Sequence, residues 1–351
     1  MPTFIGKCLM AARRFGCQSL YGAGLLRVWA NLSFDSPCYI VLCYHGVSEK
    51  PHSLFTSVKL FDEHLAMMRR WGNVTALDEV GSFLASGKAP PGPKFRFIIT
   101  FDDGYANVVR NAAPVLRKYR AKATVYINPG WIATRCEPWW FRLNGSDPIR
   151  QALKSFLGDQ DFRDPMDRNG GDHLPEWLVN RILRKVAPEE LEQWWQKFCE
   201  SLPEPPPACC IEAALADWGD LESAADVLDV GSHTSSHSIL GTCRDLAFGR
   251  DAVLNSKQQI EKALGKPCLH FAYPRGAIGD YNQVTRSWLL EAGHQTAVTT
   301  QPGAVQMGTD PLEIPRFYVT ETPTGELEAD IVGMLRLWDR SVELLRNRLK
   351  R

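Results

Sequence analysis

Two short polar segments, each following an apolar run, hold most of the residues able to do chemistry. In Ile98-Ile99-Thr100-Phe101-Asp102-Asp103-Gly104-Tyr105, a strand-like run ends in adjacent carboxylates and a glycine. Neighbouring side chains on an ideal strand face opposite ways, so both aspartates enter one site only if the chain turns there. Gly104 permits that turn, because glycine accepts backbone angles closed to other residues. Parallel-sheet proteins place their active sites at such strand ends. Read alone, the same residues equally make a plain turn with Asp102 as a helix cap.

The second segment is Val230-Gly231-Ser232-His233-Thr234-Ser235-Ser236-His237, again after an apolar run. Histidines at i and i+4 share one face of a helical turn, which suits joint coordination of one metal ion. An isolated pair of this kind also fits two surface histidines. Together with the aspartates, two imidazoles and one carboxylate make a set with an open position for water, the pattern of a catalytic divalent site. One aspartate would bind the cation while the other takes a proton from bound water. Coordination brings the pKa of that water from about 16 toward 7. The residues themselves leave open which aspartate does which.

The elements that must position these groups are short apolar runs. They are Tyr39–Tyr44, Phe95–Phe101, Thr124–Ile127, Val227–Val230, Leu269–Tyr273, Thr296–Thr299 and Ile314–Val319. Continuous apolarity suits strands covered on both faces. Helical patterns lie between them at Phe61–Trp71, Ala112–Tyr119, Asp251–Leu264 and Gln283–Ala292. This alternation predicts an α/β fold with a mainly parallel sheet, open or closed into a barrel. From about Asn144 to Ala216 the pattern turns helical and Trp-rich, up to a proline cluster at Pro203–Pro207, which reads as a helical insertion. The expected organisation is an N-terminal helical extension (1–35), a catalytic domain (36–325) with the insertion at 144–216, and a C-terminal amphipathic helix (326–351).

Composition narrows the function classes. The 351 residues carry 40 Lys+Arg against 40 Asp+Glu, so no fold-wide basic field favours a nucleic-acid partner. Hydrophobic residues at 44% exclude a disordered chain. The 10 cysteines are scattered and show no repeated CxxC pattern, which favours a reducing compartment. Arg13 and Arg14 interrupt the best candidate for a secretory apolar stretch. A cytoplasmic location is therefore expected. Basic residues at both termini make peripheral membrane contact a secondary expectation, against simple packing of the helices on the domain. No feature sets an oligomeric state.

Taken in order, the TFDDGY and SHTSSH segments resemble the polysaccharide deacetylases of carbohydrate esterase family 4, the NodB-like group. The resemblance runs from about Tyr39 to Val319 and includes Tyr44-His45-Gly46-Val47, Phe271-Ala272-Tyr273-Pro274-Arg275-Gly276 and Ile314-Pro315-Arg316-Phe317. It implies a distorted parallel (β/α) barrel of about seven strands that removes acetyl groups from N-acetylated glycans with a divalent metal, usually zinc. Asp102 would be the general base, with Asp103, His233 and His237 as metal ligands. The Tyr105 N–H would hold the oxyanion, and Arg275 and Arg316 would orient Asp102. The run from Phe271 to Gly276 would line the groove.

One motif departs from the family pattern. Many members end in a Leu-rich motif whose histidine protonates the leaving amine, but His294 is the last histidine here, at a Glu-Ala-Gly-His helix end. In one branch the acid comes from an early Tyr-His segment, which His45 matches. Pro138-Trp139-Trp140 could stack on sugar faces, although core packing is the commoner role of Trp. Competing readings are an O-acetyl esterase on the same scaffold and a non-catalytic glycan-binding relative.

Overall fold

A computed structural model describes residues 13, 15–35, 37–50, 52–134, 138–142, 147–158, 176–204 and 214–335. Its strands are β1 (Cys38–Tyr44), β2 (Val47–Ser48), β3 (Thr56–Ser57), β4 (Gly72–Val74), β5 (Phe95–Phe101), β6 (Ala123–Ile127), β7 (Leu228–Ser232), β8 (His270–Ala272), β9 (Thr296–Val298) and β10 (Phe317–Tyr318). The main sheet runs β10-β1-β5-β6-β7-β8-β9, parallel throughout, with β4 beside β5. β2 and β3 form a separate parallel pair. The chain thus forms the expected distorted parallel (β/α) barrel.

The distortion has a local cause. β1 pairs with β5 along its whole length, from Cys38↔Phe95 to Tyr44↔Phe101. On the other edge of β5, β4 takes Phe95 to Phe97 and β6 takes over at Ile99. The curl is joined by the segment from Ile314 to Val319. Ile314 bonds to Ala297 and Thr299 beside β9, while Phe317 pairs with Leu42 and the Val319 N–H donates to Cys43 of β1. Only Phe317–Tyr318 of this predicted strand is regular. The segment passes from one edge of the curl to the other, and Pro315 has no N–H to donate.

Alternating residues serve two cores, as the two-residue period of a doubly covered strand requires. Ile40, Leu42, Tyr44, Phe95, Phe97, Ile99 and Phe101 pack outward with Phe61 and Leu65 of the helix Val58–Trp71. Tyr39, Val41 and Ile98 face the other way, onto Val298, Ile314 and the helix Leu77–Ser86. The region expected as an insertion holds the helices Asp147–Leu157, Glu176–Lys185 and Leu191–Glu200. They share a separate cluster containing Leu153, Ile182, Trp195 and Phe198, which reaches the barrel side through Trp139 and Ile239.

At both ends the described residues cover only part of the sequence patterns. The helix Leu25–Ser33 buries Leu26 and Ala30. At the other end, the helix Thr324–Ile331 overlaps the start of the expected amphipathic helix (326–351). It stops at Val332, before Gly333 with φ 76°, and residues 336–351 lie outside the described residues. Seven of its eight residues are buried, so this part is a packed helix. Among the described residues, no helix is long and apolar enough to cross a membrane.

Glu328 on that helix is buried, and its Oε1 accepts from the Trp71 indole N–H at 2.9 Å. Burial pushes its carboxyl from 4.5 up to about 7, only partly opposed by Trp71, Arg70 and Arg27. An acid raised in the folded state keeps its proton while the unfolded chain has lost it, so stability falls as pH rises from about 4.5 to about 7. Glu328→Gln is expected to raise stability by about 1–3 kcal/mol at pH 8 and to change it little near pH 4. Urea melts at the two pH values check this; an equal effect at both would contradict it.

Candidate active site

The two aspartates leave β5 and the two histidines leave β7, at strand ends on either side of β6. Asp102 keeps the alternation of Ile98 and Thr100 and meets Arg316 from the joining segment. The Arg316 guanidinium forks onto it, Nη1 to Oδ1 and Nη2 to Oδ2, both at 2.7 Å. Arg316 is fully buried and also donates to the Thr299 carbonyl (2.9 Å) and to Thr100 Oγ1 (3.1 Å). The Cys43 thiol lies 3.4 Å from Asp102 Oδ2. Burial alone would raise the Asp102 carboxyl, but Arg316 and the nearby histidines hold it well below the usual carboxylate range.

Asp103 should face away from Asp102 on a continuing strand. Instead it adopts φ 70°, followed by Gly104 at φ 75°. Two consecutive left-handed residues swing both carboxylates into one site. A Cβ on Gly104 would also come within 2.9 Å of the Ile127 side chain, so the position is restricted twice over. A non-glycine residue in this region is strained by about 1–3 kcal/mol.

The histidine segment corrects an expectation. It is not a helical turn: β7 ends at Ser232 and the chain continues as an irregular turn. Thr234 at φ 63° and His237 at φ 57° make the bend. Thr234 Oγ1 accepts from the Ser238 N–H at 2.8 Å, and the Asn128 amide donates to the carbonyls of His233 and Thr234. The rings converge nonetheless. His233 Nε2 is 3.5 Å and His237 Nε2 3.6 Å from Asp103 Oδ1.

These distances test the set against a metal ion. Ligand atoms about 2.1 Å from a tetrahedral ion lie about 3.4 Å apart. The three donors are buried, and one atom of each lies within 4.8 Å of the others. Asp103 Oδ1 is buried without a hydrogen-bond donor among the described residues. Burial, then the charge of Asp102, raises the Asp103 carboxyl to about 7, a state that a cation would relieve. His233 Nδ1 bonds to the Ala272 carbonyl at 2.7 Å, which fixes the tautomer and leaves Nε2 as the lone-pair donor. Burial also lowers the pKa of both histidines, so they stay neutral as ligation requires. The residues fit a divalent ion.

Three other candidates occupy distinct places. His45, after β1, has its Nε2 4.0 Å from Asp103 Oδ2 and its ring against Tyr318. Burial lowers it to about 4, so it is neutral at pH 7. Tyr105 is buried, and Gly104 and Ala106 on either side bond to Ala216 and Ala214. Arg275 Nε lies 4.0 Å from Asp280 Oδ2, and Arg316 makes the fork on Asp102.

Sequence reasoning passed over several supports. The Tyr105 hydroxyl donates to Asp103 Oδ2 at 3.0 Å and is itself hydrogen-bonded by Trp140. Trp131 stacks parallel to His237 at 5.8 Å and Trp140 meets it edge-on at 5.2 Å. Asn128 directly follows β6, so its strand-end position was a usable signal.

The comparisons with known proteins agree with this construction. A parallel (β/α) barrel with an Asp-His-His cluster at its strand ends defines the class. A sequence model described as polysaccharide deacetylase matches residues 89–158 and 216–297. Over these two segments the chain is similar to the polysaccharide deacetylase family. The putative polysaccharide deacetylase YxkH of Bacillus subtilis (strain 168) is 34% identical over 87 residues, which is 25% of this chain and 30% of that protein. The alignment thus spans less than a third of the relative's length. Among solved structures, the deacetylase PplD of Streptococcus pyogenes in complex with acetate superposes with TM-score 0.55 at 18% identity, covering 84% of this chain and 97% of that one. IcaB from Ammonifex degensii gives 0.56 at 18% identity with the same coverage. At such identities the likeness is one of fold.

Breaking the Asp102–Arg316 pair would leave a buried carboxylate uncompensated. Arg316→Met is expected to lower the unfolding free energy by about 3–5 kcal/mol. Urea denaturation checks this, and a loss below about 1 kcal/mol, the size of a surface ion pair, would contradict it.

Proposed function

We propose that the chain is a metal-dependent hydrolase that removes the N-acetyl group of an amino sugar in a polysaccharide, oligosaccharide or glycoconjugate. The observation that carries this reading is the triangle of Asp103, His233 and His237 beside a separate carboxylate, Asp102, held ionised by Arg316. Asp103, His233 and His237 would hold the ion, with zinc expected from the donor set and the family. When bound, a divalent ion supplies Lewis acidity toward the acetyl carbonyl and water acidified enough to attack it.

The chain's own residues do the rest. The Asp102 carboxylate accepts a proton from the attacking water. The Tyr105 backbone N–H faces the developing oxyanion. His45 Nε2 delivers a proton to the leaving amine. Because burial keeps His45 neutral at pH 7, that proton is gained during turnover. Arg316 keeps the Asp102 carboxylate in one orientation, while Arg275, beside Asp280, lines the groove near His237. The buried thiols of Cys38, Cys43 and Cys268 support a reducing compartment such as the cytoplasm.

Acetate release from a panel of N-acetylated oligosaccharides, with and without chelator, tests the reading. Chelator-sensitive release is expected; its absence across the panel would contradict the assignment. Asp102→Asn should keep bound metal yet turn over about 10²–10⁴-fold more slowly, the usual worth of a general base. Wild-type rates in that variant would remove Asp102 from the mechanism. His45→Gln separates amide from ester chemistry, because an amine leaving group needs the proton more than an alkoxide does. Amide turnover should fall by a larger factor than turnover of an O-acetyl substrate; equal losses would contradict His45 as the acid.

A further inference from the structure

The helix Leu25–Ser33 turns two different apolar faces outward from its axis. Leu26 and Ala30, at i and i+4, are buried. Leu25, Val28, Trp29 and Leu32, at i, i+3, i+4 and i+7, are 52, 56, 47 and 83% exposed. On an ideal helix these four form one stripe about 100° wide. A large exposed apolar stripe on an otherwise well-packed barrel signals a contact surface.

Charge indicates what meets it. The first 34 residues contain no Asp or Glu, while Lys7, Arg13, Arg14 and Arg27 fall within them; Asp35 is the first acid. Arg27 is an exposed residue of the same helix. A stripe of Leu and Val with a Trp, on a segment whose sequence carries cations and no acids, is the composition of a helix lying in an anionic bilayer surface. A second copy of the same face would bring like charges together. At nine residues, or about 14 Å, the helix is too short to span a bilayer and long enough to lie along one.

The segment is also held firmly enough to present the stripe. Gly325 of the helix Thr324–Ile331 approaches so closely that a Cβ there would meet Gln18 at 2.7 Å and the Cys17 carbonyl at 3.1 Å. Arg13 pairs with Glu326 at 3.5 Å.

We propose that this face docks the protein on an anionic lipid bilayer, with Leu25, Val28, Trp29 and Leu32 in the interface and Arg27 at headgroup level. The surface goes beyond the deacetylase reading and does not depend on it. Taken together with the deacetylase reading, it would place the glycan substrate at a membrane.

Co-sedimentation of the full chain with vesicles tests it, using phosphatidylcholine with about 30% phosphatidylglycerol against phosphatidylcholine alone. The wild-type protein is expected to pellet with the anionic vesicles, less with the neutral ones, and less as salt rises. The double variant Val28→Glu/Leu32→Glu changes only exposed positions and should keep the wild-type thermal melt while its partitioning falls about tenfold or more. Arg27→Glu should weaken binding to anionic vesicles more than to neutral ones. Wild-type protein left in the supernatant would overturn the proposal, as would a double variant that pellets equally. A dimer in light scattering that the double variant breaks, without vesicle binding, would assign the stripe to a second copy and overturn it as well. Vesicle binding is read without substrate, so its failure and a failure of the deacetylase reading are separate results.

Discussion

The contact on which the site depends is the buried fork between Arg316 and Asp102. Withdrawing a guanidinium and a carboxylate from water is costly, and the mutual attraction offsets that only with good geometry and few idle donors. Both conditions hold here: two bonds at 2.7 Å, with further Arg316 donors taken by Thr299 and Thr100. Because Arg316 sits on the segment that joins β9 to β1, the same contact draws the curl together and sets the charge state of the site. Asp102 remains an anion in surroundings that would otherwise protonate it, and its charge in turn raises its neighbour Asp103. Burial raises Asp103, the charge of Asp102 adds to it, and Arg316 holds Asp102 low, so two adjacent carboxylates differ in acidity.

The second constraint is backbone strain. Among the described residues, five non-glycine residues have positive φ, and four of them are Asp103, Thr234, His237 and Arg275, all in the loops that build the site. Such conformations persist only where surrounding structure over-determines them. The means are visible: Asn128 holds the carbonyls of His233 and Thr234, Ser238 closes onto Thr234, and Trp131 and Trp140 pack His237 on two sides. Trp140 also hydrogen-bonds Tyr105, which bonds to Asp103, so one tryptophan touches the surroundings of two prospective metal ligands. Its neighbour Trp139 packs against Trp194 and Trp195 of the helical region. That region is thereby in mechanical contact with the site.

Most of the barrel was legible because its strands are covered on both faces and therefore read as unbroken apolar runs. Phe95–Phe101 and Gln283–Ala292 coincide with their sequence patterns. Gly72–Val74 and the two-residue strands Val47–Ser48 and Thr56–Ser57 left no such signal, being too short to carry a period. For the site, residue types and strand-end placement were enough to pick out Asp102, Asp103, His233 and His237. Their local conformation was not legible, since an i, i+4 spacing serves a helical turn and a left-handed bend equally. Nor could sequence separate Arg275 from Arg316, because which arginine reaches Asp102 depends on how the last strand segment crosses the barrel. The stripe on Leu25–Ser33 was hidden for a similar reason: a pattern shows which residues are apolar, and only packing shows which of them stay uncovered.

The most direct test of the central claim is X-ray absorption at the zinc edge of the zinc-loaded protein. The account predicts two imidazole nitrogens and carboxylate or water oxygen at about 2.0–2.2 Å, with no sulfur in the coordination sphere. A spectrum lacking imidazole scattering, or one showing sulfur at about 2.3 Å, would mean that the ion sits elsewhere and would contradict it.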